Sequence, residues 1–133
     1  MVKSKIKLTI PTWATLVYIA MSIVLIPWTI YLGTSLPVHY LSAHWDISWI
    51  GLDAAMVIAM LITGILAYFK SIWVVITSSV VGTLMFVDAW FDVISERRAI
   101  ELHEAFFLAI FFELPIAITS FYLAYKVINS EKP

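Results

Sequence analysis

The sequence contains no cysteine, which excludes a disulfide framework, thiol redox chemistry and thiolate metal sites. Charge is also scarce, because 13% of the residues are charged, whereas a soluble domain usually carries about 25%. The formal net charge of −1 lacks the basic excess of nucleic-acid binders, so no nucleic-acid partner is expected. Four glycines leave little room for a glycine-rich nucleotide loop, and neither a P-loop nor a G-x-S-x-G element occurs.

Apolar residues make up most of the chain, at 62% of the sequence with a mean hydropathy of +0.97. Four apolar runs approach or exceed the ~20 residues that a helix needs to cross a bilayer: 11–36, 48–69, 71–94 and 105–125. The first run is longer than the roughly 7–15 apolar residues of a signal peptide, so we expect it to be retained. We therefore predict an all-α integral membrane protein: a single domain, surrounded by lipid, in which four helices form an antiparallel up-down bundle.

The placement of basic residues predicts the orientation of this bundle, because cytoplasmic loops of membrane proteins are enriched in lysine and arginine. Six basic residues fall on the side of the termini and two on the other side. Both termini are therefore expected on the cytoplasmic side of the membrane. The residues counted are Lys3, Lys5, Lys7, Lys70, Lys126 and Lys132 on the inner side, and Arg97 and Arg98 on the outer side.

Acidic residues interrupt three of the four predicted spans, and the third span carries two of them in the element Asp88-Ala89-Trp90-Phe91-Asp92. Carboxylates in hydrocarbon are costly and normally mark a functional position. At ~1.5 Å per residue, Asp53 and Asp88 lie roughly 9 Å below the outer helix ends and Glu113 roughly 15 Å below. We predict an outward-opening acidic funnel with Glu113 at its floor.

Each acid also has a structural interpretation. Asp53 and Asp88 could bond to polar groups on neighbouring spans, and Asp92 could be a hydrated helix end. Glu113 has no lysine or arginine at its depth, so it should be protonated or paired with a bound cation or water cluster.

The connectors above the funnel carry histidines and tryptophans that we expect at its mouth: His39, His44, His103, Trp49 and Trp90. Imidazole and carboxylate ligands suit a borderline divalent ion. A metal site from His44, His103, Asp53, Asp88 and Asp92 therefore remains an alternative, although His44 and His103 could equally be interfacial anchors.

Known cofactor and metal patterns are otherwise missing, so no cofactor is expected. His103-Glu104 begins an H-E-x-x-H pattern, but Phe107 stands where the second histidine is needed. No Glu-x-x-His pair supports a di-iron bundle, and no histidine lies within a span to hold a haem.

Prolines inside the first and fourth spans are candidate hinges. Pro27 removes the hydrogen bond to the carbonyl of Ile23, which Thr29 could help to satisfy, and Pro115 frees the carbonyl of Phe111. A proline that is simply tolerated in a membrane helix is the alternative.

Helical spacing predicts two interior faces. The second span would present Trp49, Asp53, Met56, Met60 and Thr63, and the fourth would present Phe106, Ala109, Glu113, Ala117 and Ser120.

Several short elements together resemble a group of small, uncharacterised four-span bacterial membrane proteins. The elements are Pro27-Trp28-Thr29-x-Tyr31-Leu32, Ala43-His44-Trp45, Trp49-x-Gly51-x-Asp53, Asp88-Ala89-Trp90-Phe91-Asp92 and Glu113-Leu114-Pro115. The resemblance implies a multi-pass four-helix protein of a bacterial plasma (inner) membrane and no particular activity. By size the chain is also similar to small multidrug-resistance transporters, but their essential carboxylate lies in the first span, which has none here.

Three functions fit these features. The first is a transporter or ligand-binding protein, expected as a homodimer, whose carboxylates exchange protons for a cation or a small cationic solute. The second is a non-catalytic accessory protein whose acids stabilise a bundle or a partner interface. The third is a divalent-metal-binding membrane protein or enzyme.

Overall fold

The computed structural model describes residues 9–40, 42–96 and 98–130, and these ranges contain helices and no strand. The last long helix, Ala99–Ser130, is continuous but contains a π-helical turn. The elements are α1 (Thr12–Ser35), α2 (Trp45–Tyr68), α3 (Val74–Ser95), α4 (Ala99–Leu108), the π-turn (Ala109–Glu113) and α5 (Leu114–Ser130).

Four helices, namely α1, α2, α3 and the continuous Ala99–Ser130, are long and apolar enough to cross a membrane, and their number agrees with the four apolar runs. Their bounds differ from the apolar runs. The helix α2 begins at Trp45, in the predicted connector, and α4 occupies most of the second connector from Ala99. Both helices carry an acid in their first turn, Asp46 and Glu101, which favours a helix N-terminus through the helix dipole.

The helices α1 and α2 pack closely in opposite directions. Ile19 near the start of α1 contacts Gly64 near the end of α2, while Gly33 near the end of α1 contacts Ile50 near the start of α2. Small residues permit this approach, as is common between helices in lipid.

The other half of the bundle packs α3 against α5, where the ring of Phe121 lies over Gly82. A buried hydrogen bond joins α1 to α5, since the Tyr18 hydroxyl donates to Ser120 Oγ over 2.8 Å. Ser120 in turn donates to the carbonyl of Ile116. The four long segments therefore form one up-down bundle with a satisfied polar contact at its centre.

The predicted interior face of α2 is confirmed, because Asp53, Met56, Met60 and Thr63 are at most 3% exposed and Trp49 is half-buried. The face predicted for the fourth span needs one correction, because Phe106 points outward and Ala105 is buried in its place.

The helix α1 continues through Pro27. The Thr29 hydroxyl lies 2.9 Å from the carbonyl of Leu25, rather than on Ile23 as expected, and 3.4 Å from Asp53 Oδ2. The role of Pro27 as a hinge stays a prediction.

Substituting Gly64 with alanine should destabilise the bundle by about 1–3 kcal/mol, because overpacking a tight contact forces neighbours to move. The added Cβ would lie 2.8 Å from Ile19 Cγ1 and 3.3 Å from the Ile19 backbone nitrogen. The matched control is Gly51→Ala, whose Cβ meets nothing within 4 Å and should be neutral or stabilising. Thermal unfolding in detergent measures both, and an equal melting temperature for the two variants would contradict the close α1–α2 contact.

Candidate acidic cavity

A cavity of about 530 Å³ opens at the end of the bundle that holds the α1–α2 and α3–α4 connections. Among the described residues, seven acidic residues and one basic residue, Arg98, line it. The chain has nine acidic residues in all; of the remaining two, Asp46 does not line the cavity and Glu131 lies outside the described residues. The acids are Asp53, Asp88, Asp92, Glu96, Glu101, Glu104 and Glu113.

Helical spacing brings these acids to one place. Asp88, Asp92 and Glu96 stand four residues apart, so they follow one face of α3 from its middle to its end. The helix α2 repeats the spacing with Trp45, Trp49 and Asp53. Each face thus runs from the connector into the bundle and presents its groups to the same cavity.

The tightest part of the cavity is a group that we call the carboxylate triad: Asp88, Asp92 and Glu113. One carboxylate oxygen from each lies within 4.8 Å of the other two. Asp88 and Glu113 are buried and Asp92 is half-buried. Three ionised carboxylates at this distance repel one another strongly in a site of low dielectric, so protons or a bound cation must neutralise part of the charge.

Glu113 is the least satisfied member of the carboxylate triad. Its residue is 8% exposed, and its Oε2 atom has no hydrogen-bond partner in the described part of the chain. The polar side chains closest to it are Asp88 and Asp92, and a carboxyl group can donate to Glu113 only while it carries a proton. A buried acceptor without a donor costs about 1–3 kcal/mol or more, so this position points to a proton or a ligand.

The π-turn explains how Glu113 is held in line with the rest of its helix. Ala105, Ala109, Glu113 and Ala117 are all buried at four-residue intervals. In a regular α-helix each such step turns the face by about 40°, so three steps would carry Ala117 far from Ala105. A π-turn contains more residues per turn and reverses part of this drift.

Pro115 provides the local reason for the π-turn. Its nitrogen cannot donate to the carbonyl of Phe111, and its ring crowds that carbonyl in a regular helix. Here the N–H of Leu114 bonds to the carbonyl of Ala109, five residues back. Pro115 therefore accounts for the π-turn, whose last residue is Glu113. Such turns are frequent at functional sites.

Asp53 on α2 adds a further acid to the wall of the cavity. Its residue is 3% exposed, and its Oδ2 atom lies 3.4 Å from the Thr29 hydroxyl on α1. Asp53 is near enough to Asp88 and Asp92 to feel their charges. The first span, which has no acid, thus contributes a hydroxyl group beside the acids.

The rim of the cavity is also acidic. Burial, a hydrogen bond with Glu101 and the charges of Glu101, Asp92 and Glu104 raise the pKa of Glu96 above its usual value. Arg98 pairs with Glu101 at 3.6 Å, but both side chains are exposed and such pairs contribute little. The excess of negative charge at the rim attracts cations toward the interior.

The histidines and Trp90 were expected at the mouth, but none of them is among the residues that line the cavity. His39, His44 and His103 are exposed, and His103 Nδ1 lies 2.6 Å from the carbonyl of Ala99. Trp90 is 60% exposed on the outside of α3, because a residue two positions from both Asp88 and Asp92 lies about 200° around the helix from each. Trp49 does line the cavity.

The candidate metal ligands are also different from the expected set. The structure groups Asp88 and Asp92 with Glu113, and neither His44, His103 nor Asp53 belongs to that group. The donors are therefore all carboxylate oxygens, which suit hard cations rather than a borderline ion.

Some of the basic residues that predicted the orientation lie outside the described residues: Lys3, Lys5, Lys7, Lys132 and Arg97. Of the inner-side residues, Lys70 lies in the α2–α3 turn with a φ of 53°, and its Nζ donates to the carbonyl of Ile10 over 2.6 Å. This turn and Thr9, which bonds to Ser130, lie at the end of the bundle opposite the cavity.

Comparisons with protein families, with characterised proteins and with solved structures found no match to this chain.

The cavity also contains residues that were not predicted as site residues from the sequence. Two of them follow when the four-residue spacing that links Asp88 to Asp92 is continued. One further step gives Glu96, and one step back from Trp49 gives Trp45. The contributions of Trp28 and Tyr31 on α1 had no such signal.

Proposed function

We propose that this multi-pass membrane protein binds a cation at the carboxylate triad in exchange for protons, and that the cavity is the substrate site of a small cation transporter. The observation that carries this proposal is the buried, unpartnered Oε2 of Glu113 beside the carboxylates of Asp88 and Asp92. The site needs positive charge from protons or from a ligand, and either can replace the other.

The rest of the cavity fits this role. Its volume of about 530 Å³ lies in the range of ~300–1,000 Å³ that is usual for small-molecule sites. In the described part of the chain its lining carries seven acids and one base, an excess of negative charge that repels anions. It reaches the carboxylate triad from the rim, which gives a soluble ion access to buried acids.

The orientation and assembly belong to the same proposal. Because lysine predominates at the end opposite the cavity, we place that end in the cytoplasm of a bacterial cell and the cavity mouth outside it. A protomer of four spans is small for a complete transport path, so we propose a homodimer.

A divalent-metal-binding protein is the second candidate. It is favoured by the three carboxylate oxygens that lie within 4.8 Å of one another, a donor set that suits magnesium, calcium or manganese ions.

Cation binding should release protons from the purified protein. In weakly buffered detergent solution, saturating cation should lower the pH in proportion to the protein, and the apparent cation affinity should rise with pH because fewer protons compete. In proteoliposomes that hold a pH-sensitive dye, an inward cation gradient should drive protons outward. Sodium, magnesium, manganese and tetraethylammonium ions form the test panel. The proposal is wrong if none of them releases protons or drives flux beyond that of empty liposomes.

A further inference from the structure

Aromatic side chains line the side of the cavity that α1, α2 and their connector form. Five aromatic residues are among its lining residues: Trp28, Tyr31, Tyr40, Trp45 and Trp49. From the geometry we infer that the cation is an organic ammonium with an apolar body, whose charged group sits against the carboxylates and whose body lies between these rings. This inference rests on the proposed function and specifies its substrate class.

The face of α2 shows how such a ligand would be held. Trp45, Trp49 and Asp53 follow one another at intervals of one helical turn. The Trp45 and Trp49 rings are edge-on to each other, with centroids 5.5 Å apart. Two indole rings thus lead directly to a buried carboxylate.

The facing helix α1 adds a second, more exposed aromatic wall, because Trp28 and Tyr31 line the cavity while 45% and 58% exposed. Trp28 and Tyr31 lie with ring centroids 5.7 Å apart and flank Thr29, whose hydroxyl is 3.4 Å from Asp53. An organic cation near Asp53 would therefore meet aromatic rings on both helices.

Aromatic residues at membrane interfaces often serve only as lipid anchors. Trp45 and Trp49 differ from such anchors because both are half-buried and line the cavity. By contrast, Trp73 and Trp90 are 63% and 60% exposed and line no part of it. The position of the α2 tryptophans is thus explained by a ligand better than by lipid.

The size of the cavity also favours an organic cation over a metal ion. A water molecule takes about 30 Å³ in the liquid, so 530 Å³ greatly exceeds the space that one ion and its shell require. Hard metal ions prefer oxygen ligands, so a metal ion would leave the aromatic part of the lining unexplained. Cation–π attraction recognises substituted ammonium groups and contributes about 0.5–2 kcal/mol per ring.

Proton release by tetraethylammonium tests this inference in purified protein, with magnesium and manganese ions measured in parallel. We expect tetraethylammonium to release protons from the unmodified protein. Trp49→Leu should weaken its apparent affinity roughly 2- to 30-fold, the loss of one cation–π contact. Trp49→Phe should restore part of the affinity, and Trp73→Leu, at the opposite end of the bundle, should have no effect.

The possible results separate the proposed function from the inferred substrate class. Binding of tetraethylammonium with an affinity that Trp49→Leu lowers supports the inference. Proton release by metal ions alone, unaffected by Trp49→Leu, overturns the inference and leaves the proposed function standing. Tetraethylammonium binding that Trp49→Leu does not change also overturns the inference. Proton release by no cation overturns both.

Discussion

Glu113→Gln should abolish most cation binding while leaving the unliganded bundle at least as stable. Removing one member of a buried, charged ligand set costs about 2 kcal/mol or more, which is about thirtyfold in affinity. The effect on stability has the opposite sign, because Oε2 of Glu113 is a buried acceptor without a partner. The neutral amide ends the repulsion from Asp88 and Asp92 and can donate a hydrogen bond to them.

Two measurements on the same samples test this result: cation-induced proton release, and thermal unfolding without added cation. The control is Asp46→Asn, which removes one acid near the same end of the bundle but outside the cavity, and whose Oδ1 is likewise buried without a hydrogen-bond partner. Proton release should fall in Glu113→Gln and persist in Asp46→Asn.

The paired measurement also separates the transporter from the accessory protein. If the acids only stabilise the bundle, Glu113→Gln should lower the melting temperature. A lower melting temperature combined with unchanged proton release or cation flux would therefore contradict a ligand site at Glu113.

Inserting one alanine after Phe111 in the π-turn should produce the second large effect. The π-turn already accommodates one residue more than a regular α-helix, so a further residue rotates α4 and α5 relative to each other by about 100°. Whichever part rotates, Glu113 no longer faces the same cavity as Glu101 and Glu104. Binding sites tolerate misalignments of about 10–20°, so we expect cation affinity to fall by about tenfold or more.

The matched control keeps the length of the chain and removes only the side chain. Phe111 is 62% exposed on the outside of the bundle, so Phe111→Ala should bind cations normally. Circular dichroism should show both variants to be helical, and proton release gives the affinity. An insertion variant that binds as tightly as the original protein would show that binding does not depend on the alignment of Glu113 with α4.

The four spans could be predicted from the sequence because membrane crossing depends on length and hydropathy, which are local properties. The buried face of α2 followed from spacing alone for the same reason, since one helix fixes which of its own residues share a side. The helix starts at Trp45 and Ala99 were missed because polar residues beyond an apolar run can continue a helix without changing the hydropathy signal.

The candidate site was predicted only in part. Acids on three spans were expected in one region, and the structure places Asp53, Asp88, Asp92 and Glu113 on one cavity. The histidines were expected above them because the connectors lie at that end. Their side chains point elsewhere, because a connector's position along the chain does not fix the direction of its side chains.

The all-α class, the four long apolar helices and the position of each acid along its helix followed from the chain alone, because these depend on distances along single helices. Which acids meet depended on the packing of the helices. The 4.8 Å grouping of Asp88 and Asp92 with Glu113 depends on how α3 packs against the π-turn, and the turn depends on a rotation that Pro115 imposes on its own helix. The aromatic walls on α1 and α2 likewise require those two helices to lie side by side, because contacts between separate helices are set by packing and not by spacing.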